Sequence, residues 1–275
     1  MRLLNVKTLK LEWFHNADVA PSYAILSHRW EDDEVLFEDP ESVVHVHPSQ
    51  AIKPNGWSKV LGCCKIAEQF GISYVWIDTC CIDTSSSSEL SESLNSMFAW
   101  YQCATLCIAY LSDVTQIWGN DSEDPTAGHP RHSAWFRRGW TLQELLAPND
   151  VLFYQGDWSF LGIRSELADE LHKITGIEKT ILQRNGLEKL HSLSVAARIS
   201  WAADRETTRP EDRAYSLLGI FGVNMPILYG EGEQNAFFRL QVMIFQTFSD
   251  HSIFAWKALF LPWDTQLVAS ALLRC

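Results

Sequence analysis

From residue 2 to residue 14, in MRLLNVKTLKLEWF, apolar side chains alternate with Lys7, Lys10 and Glu12, the period of one half-buried strand or a short hairpin. Tyr23 to Ser27 (YAILS) is a short apolar run of the kind a strand buried on both faces shows. It ends in a polar cluster, His28-Arg29-Trp30-Glu31-Asp32-Asp33-Glu34. Residues 38–56, with Pro40, Pro48, Pro54 and Gly56, read as a loop or irregular insertion. The period then turns helical. Trp57, Val60, Leu61, Cys64 and Ala67 make one apolar stripe that stops at Gly71. Ile72 to Ile77 (ISYVWI) is a second buried strand closing on Asp78. Ser86, three residues before Glu89, predicts a capped helix start, with Leu90, Leu94, Met97, Phe98 and Tyr101 on the inner face. Thr105 to Leu111 is a third strand, residues 119–131 a polar loop, Trp135 to Leu146 a helix stopped by Pro148, and Val151 to Tyr154 a fourth strand.

Strands alternating with helices in this way predict an α/β fold, a mainly parallel sheet with flanking helices over residues 1–158. A mostly helical region follows over 159–256, with helices expected at 164–174, 178–184, 192–203, 211–221 and 232–247. Residues 257–275 form a tail without a clear period. Parallel sheets bind ligands beyond the carboxyl ends of their strands. Here those ends carry Ser27, His28, Arg29 and Trp30, then Asp78, then Ser112 and Asp113, with the 135–146 helix opening beside them.

Composition narrows the function. The 275 residues are 47% hydrophobic and 20% charged, as in a globular chain, and the net charge is −12. That balance excludes a nucleic-acid backbone or an anionic membrane as the principal partner, though not a small anionic ligand in a local pocket. No apolar run approaches the ~18 residues of a membrane span, and the N-terminus is no signal peptide, so a cytoplasmic protein is expected. The seven Cys include the vicinal pairs Cys63-Cys64 and Cys80-Cys81, which read as reduced, buried thiols. Twelve Trp serve the core, and some are available to stack a flat ligand.

Several blocks carry a resemblance: YAILSHRW (23–30), GISYVWIDTCCID (71–83), SMFAWYQCATLCIAYLSDV (96–114), RGWTLQELLAP (138–148), ISWAADRETTRPEDRAYSLLGIFGVNMPILYGEG (199–232) and FRLQ (238–241). They resemble the HET (heterokaryon incompatibility) domain, a family of fungal cell-death modules, as far as about Trp256. That family is similar in turn, more distantly, to TIR domains, which implies a TIR-like, flavodoxin-like sheet. YAILSHRW looks like the first strand and Arg-bearing loop of a TIR domain. TIR enzymes carry a catalytic glutamate in a Ser-x-Trp-x-x-x-Glu-like stretch, and the segment from Ser133 and Trp135 to Glu144 occupies that place with longer spacing.

The resemblance implies a cell-death output, gated by an upstream sensor, with self-association or cleavage of NAD or a related nucleotide as its means. NAD is then a substrate, and no cofactor or metal is expected. Arg137, Trp140 and Glu144 are spaced to share one helical face, with Leu142, Leu145 and Leu146 turned into the core. A glutamate beside an indole is partly desolvated, and a positioned carboxylate stabilises the oxocarbenium charge that develops when nicotinamide leaves. The alternative is an ion pair of Glu144 with Arg137 or Arg138. Arg29 suits a phosphate clamp or a pair with Asp32 or Asp78. Trp30 suits stacking. Asp78 suits a ribose hydroxyl or a turn cap. Trp140 and Glu144 are expected to face Arg29 across one cleft, with Ser27, Trp30, Asp78 and Trp140 as further substrate-binding residues.

Other clusters have plainer readings. Cys80-Cys81 near His28 invites a thiol hydrolase, but nothing specifies the orienting third group. His45, His47 and the run 31–34 read as solvated charges rather than a metal site. GEGE (230–233) lacks the ending of a phosphate loop and reads as a turn. Arg205, Arg209 and Arg213 with Glu206, Glu211 and Asp212 read as a structural ion-pair network.

Overall fold

The computed structural model describes residues 1–39, 53–119, 128–250 and 252. His45, His47 and the 257–275 tail lie outside the described residues. Seven strands form one sheet: β1 (Arg2–Asn5), β2 (Leu11–Trp13), β3 (Tyr23–His28), β4 (Tyr74–Trp76), β5 (Leu106–Leu111), β6 (Val151–Gln155) and β7 (Phe160–Ile163), in the order β2-β1-β4-β3-β5-β6-β7. The four central strands are parallel, as the buried apolar runs require. The edges are antiparallel. Residues 2–13 fold back as a hairpin whose inner strand pairs with β4, and β7 turns back on β6. The sheet is therefore mixed rather than mainly parallel. The four residues of β7, one of them Gly162, are too few to show a period.

By chain order the parallel strands run 2-1-3-4, so the winding reverses between β3 and β5. A crevice opens at such a switch point, beyond the carboxyl ends. Next to it lie Ser27 and His28, which face Ala109 and Tyr110 of β5.

Among the described residues four α-helices belong to the sheet region. Helix α1 (Pro54–Gln69) starts with Pro at its first turn and buries Trp57, Val60, Cys64 and Ala67. Helix α2 (Asp78–Cys81) is a single turn directly after β4. Helix α3 (Ser87–Cys103) begins as expected, the Ser86 side chain accepting from Glu89 N at 3.3 Å. Helix α4 (Thr141–Leu146) starts later than expected, because residues 134–137 form a separate 3-10 turn.

The region after the sheet is helical but broken into short pieces: α5 (Ala168–Thr175), α6 (Lys179–Leu182), α7 (Val195–Ser200), α8 (Asp212–Tyr215), α9 (Leu218–Phe221) and the longer α10 (Glu233–Thr247). The expected 211–221 helix is thus two single turns, the second ended by Gly222 at φ 59°. GEGE is a turn. Gly230 and Gly232 have φ of 99° and 83°, and both amides donate to Glu211 Oε1, at 2.8 and 3.0 Å. Among the described residues no helix is long and apolar enough to cross a membrane.

Helix α9 rests on α3 with no room to spare. A Cβ on Gly219 would stand 2.1 Å from Phe98 Cβ, an atom fixed to the α3 backbone. Gly219→Ala is expected to cost about 1–3 kcal/mol through overpacking, measured as a lower urea midpoint, whereas a surface alanine substitution would be close to neutral.

Candidate active site

Ser27 is a buried polar residue that, with His28, ends an otherwise apolar strand. Its Oγ donates to Glu144 Oε2 at 2.5 Å and accepts from Trp135 Nε1 at 2.9 Å. Glu144 hangs from α4, whose Leu142, Leu145 and Leu146 fill the core as expected. The carboxyl is 4% exposed. Burial pushes it up to about 7, with Asp78 adding to the rise, while Arg138, Ser27 and Tyr101 pull it back. Tyr101 comes from α3 and donates its hydroxyl to Leu26 O at 2.9 Å.

Asp78 stands a few residues away in space with the opposite character. His28 Nε2 lies 2.8 Å from its Oδ1, and Trp30 Nε1 donates to its Oδ2 at 2.7 Å. Burial alone would raise this carboxyl, but His28, Arg138 and Trp30 outweigh it and hold the group below the usual range. Arg138 donates to His28 O at 3.2 Å, and its guanidinium sits 5.6 Å from the ring centre of Trp30, a residue 44% exposed. The loop after β3 is tied down by Lys59 of α1. This buried ammonium pairs with Glu34, stands 3.2 Å from Glu31, and donates to Arg29 O at 3.2 Å. Glu34 is therefore a buried partner and no solvated charge.

Of the residues singled out from sequence, Ser27, Trp30, Asp78 and Glu144 converge on the carboxyl edge of the sheet. Among the described residues the Arg29 and Trp140 side chains are not bonded to them. Arg29 is exposed, and its carbonyl accepts from Lys59 Nζ. Trp140 points the other way, donating from Nε1 to Asp212 Oδ2 at 3.1 Å, where Tyr229 OH also donates to Oδ1 at 2.9 Å. The shared face expected of Arg137, Trp140 and Glu144 fails because regular α-helix begins only at Thr141. Arg138 was named from sequence as an ion-pair alternative for Glu144, whereas Trp135 and Tyr101 are partners that spacing did not reveal, since each reaches Ser27 or Glu144 through tertiary packing.

Within the arginine-rich run Arg209 acts on both Glu211 and Asp212, while the nearer contacts of its arginines lie outside the run. Arg209 lies 4.0 Å from the ring centre of Tyr229, Arg213 Nη1 is 3.1 Å from Glu233 Oε1, and Arg205 is buried against carbonyls. The thiols are free: Cys63, Cys64, Cys80, Cys81 and Cys107 are buried. Burial raises Cys63, Cys64 and Cys107, and the Cys81 thiol with burial raises Cys80. That is the reverse of what a thiolate nucleophile needs. Among the described residues no three His, Cys, Asp or Glu side chains gather as a metal site requires.

The Glu144 environment has a measurable consequence. Its carboxyl pKa rises from 4.5 to about 7 on folding, so between those values the folded state holds a proton that the unfolded state has lost. Stability contributed by this group is full below the lower value and falls as pH climbs to the upper one, by about 3 kcal/mol. Glu144→Gln removes the titration while keeping an acceptor for Ser27. Its melting temperature relative to the native protein is expected to climb steadily from about pH 5 to about pH 8. A difference that stays flat across that window would mean that Glu144 ionises normally.

Comparison with known proteins agrees with the sequence blocks. The family model described as heterokaryon incompatibility protein (HET) matches residues 23–124, from β3 past β5. Vegetative incompatibility protein HET-E-1 of Podospora anserina is 41% identical over 227 residues, which cover 82% of this chain and 16% of that protein. The chain thus spans less than a fifth of the length of that relative. No solved structure matches it. With its matched segment forming three of the four parallel strands and the carboxyl ends that hold Ser27 and Asp78, the chain belongs to the heterokaryon incompatibility (HET) family.

Proposed function

We propose that this chain is a cell-death effector module of vegetative incompatibility that cleaves the N-glycosidic bond of NAD or a related nucleotide. The name of its relative supports the biological role. The chemistry is supported by one observation above the rest: the Glu144 carboxyl lies at the switch point of the parallel strands, bonded to Ser27 and raised to about 7. The 2-1-3-4 order of those strands is that of flavodoxin-like sheets and supports the TIR-like reading.

In this scheme the positive pyridinium ring stacks on the exposed indole of Trp30 and approaches Asp78. Its charge favours ionisation of Glu144. The C1′–N bond then breaks, and nicotinamide leaves as a neutral molecule with the bonding electron pair. Glu144 stabilises the ribosyl cation or traps it as an ester. Water attacks C1′ and loses a proton, giving ADP-ribose. An upstream sensor controls the module, which works in the cytoplasm.

A second reading, a self-associating adaptor without chemistry, draws on the low exposure of Glu144, as a structural carboxylate would show. Nicotinamide release from NAD by the purified chain separates the two. The enzyme reading expects release that falls by about a hundredfold or more in Glu144→Gln, together with loss of toxicity. No release from the native chain, with toxicity that survives Glu144→Gln, would establish the adaptor.

A further inference from the structure

The segment from Arg137 to Thr141 delivers Arg138 to the site and opens α4, and it is gripped from the helical region. Glu206 forms an isolated parallel bridge with Arg138. Gly139 N donates to Glu206 O at 2.8 Å, and Glu206 N donates to Arg137 O at 2.6 Å. The adjacent Arg205 side chain, 5% exposed, donates from Nη1 to Arg138 O and to Thr141 Oγ1, both at 2.9 Å. Its Nε donates to Trp201 O at 3.1 Å, while Nη2 is buried with no hydrogen-bond partner.

A buried guanidinium with an idle N–H group is unfavourable unless its charge is answered. Burial lowers Arg205 to about 10, and the charge of Glu144 works against that fall. Around Glu144 stand Ser27 of β3, Asp78 of α2, Tyr101 of α3, Cys107 of β5, and the cations Arg138 and Arg205. One of those cations is held in place by the other, since Arg205 binds the Arg138 carbonyl.

We propose that Arg205 is a positioning residue for Glu144: with Glu206 it clasps residues 137–141, so that the helical region completes the site at the sheet edge. The proposal rests on Glu144 being the reactive group, whereas the clasp itself is a matter of stability and can be tested without turnover. Without the clasp Arg138 loses its anchor, α4 loses the bond to Thr141, and Glu144 loses nearby positive charge. Each change makes its ionised form harder to reach.

The test uses Arg205→Gln, Arg205→Lys, Gly139→Ala and the double variant Gly139→Ala/Thr207→Ser. A Cβ on Gly139 would meet Thr207 Cγ2 at 2.5 Å, so Gly139→Ala wedges the two segments apart. Thr207→Ser deletes the obstructing methyl and restores the approach. The first readout is the stability difference between each variant and the same variant carrying Glu144→Gln, followed across pH. Arg205→Gln is expected to move the midpoint of that difference upward by about one unit, Arg205→Lys by less, with Thr207→Ser reversing the shift caused by Gly139→Ala. The second readout is nicotinamide release. In Arg205→Gln, kcat at neutral pH is expected to fall about tenfold with KM little changed, because Arg205 does not touch substrate. An unmoved midpoint in the folded variants overturns the proposal, as does a Gly139→Ala defect that Thr207→Ser leaves in place. If Arg205→Gln does not fold, Arg205→Lys and the Gly139 pair decide. Absent nicotinamide release by the native chain sinks the glycosidase reading alone, and the stability cycle still decides the clasp.

Discussion

A carboxyl group placed beneath the surface at the end of a parallel sheet must be kept neutral or surrounded by donors. Glu144 sets that condition here, and the carboxyl edge is arranged to meet it. Strand β3 is apolar until Ser27, which places a hydroxyl where another aliphatic side chain would leave the acid without a partner. Trp135 fills the core with its ring and spends its one polar atom on the same hydroxyl. Each side chain around the acid therefore has both a packing role and a polar one.

Two carboxyls lie at this edge, and their environments push them apart. Asp78 has two ring N–H partners, Trp30 and His28, and a guanidinium nearby, which favour charge. Glu144 is buried beside that anion, and burial favours the proton more strongly than Arg138, Ser27 and Tyr101 favour the charge. Near neutral pH the pair thus divides into a fixed anion and a group poised to gain or lose a proton. Divergence of this kind separates roles at acid–base sites. Arg138 links the pair, because it lowers both groups and stands over the exposed ring of Trp30.

The parts legible from sequence are those whose signal is local. Buried runs such as YAILS and ISYVWI located the parallel strands, and the strand ends named Ser27, Trp30 and Asp78. The Ser86 cap and the core face of α4 were equally readable. What escaped is tertiary. Trp140 was placed at the site by helical spacing; extended backbone at Arg138 takes Arg137 out of that register, and Asp212 takes the Trp140 indole. Strand β7 was invisible because four residues show no period, and it turned a mainly parallel sheet into a mixed one. Arg29 was favoured for its position after β3. Nothing local indicated that Arg138 rather than Arg29 would be the arginine that acts on Asp78 and Glu144.

The misread arginines follow from the shape of the helical region. Helices of four to six residues close few internal bonds, so most of their terminal carbonyls need partners from elsewhere. Solvent cannot supply them where the ends are buried. Buried guanidinium groups do so instead, since each carries five donors on a fixed plane. Arg164 donates to Leu145 O, Asn149 O and Leu182 O, joining the ends of α4 and α6. Arg198 donates to Ile220 O at 3.4 Å between the rings of Phe221 and Phe248. Arg205 does the same for Trp201 O and Arg138 O. A charge pattern read along the chain pairs such arginines with nearby acids, whereas the fold spends Arg164, Arg198 and Arg205 on backbone carbonyls. Glu211 and Asp212, which feel Arg209, hold the GEGE turn, Trp140 and Tyr229 in turn. The short helices of this region are therefore held less by their own hydrogen bonds than by side chains that cross between them, and Arg205 carries that scaffold to the edge of the sheet.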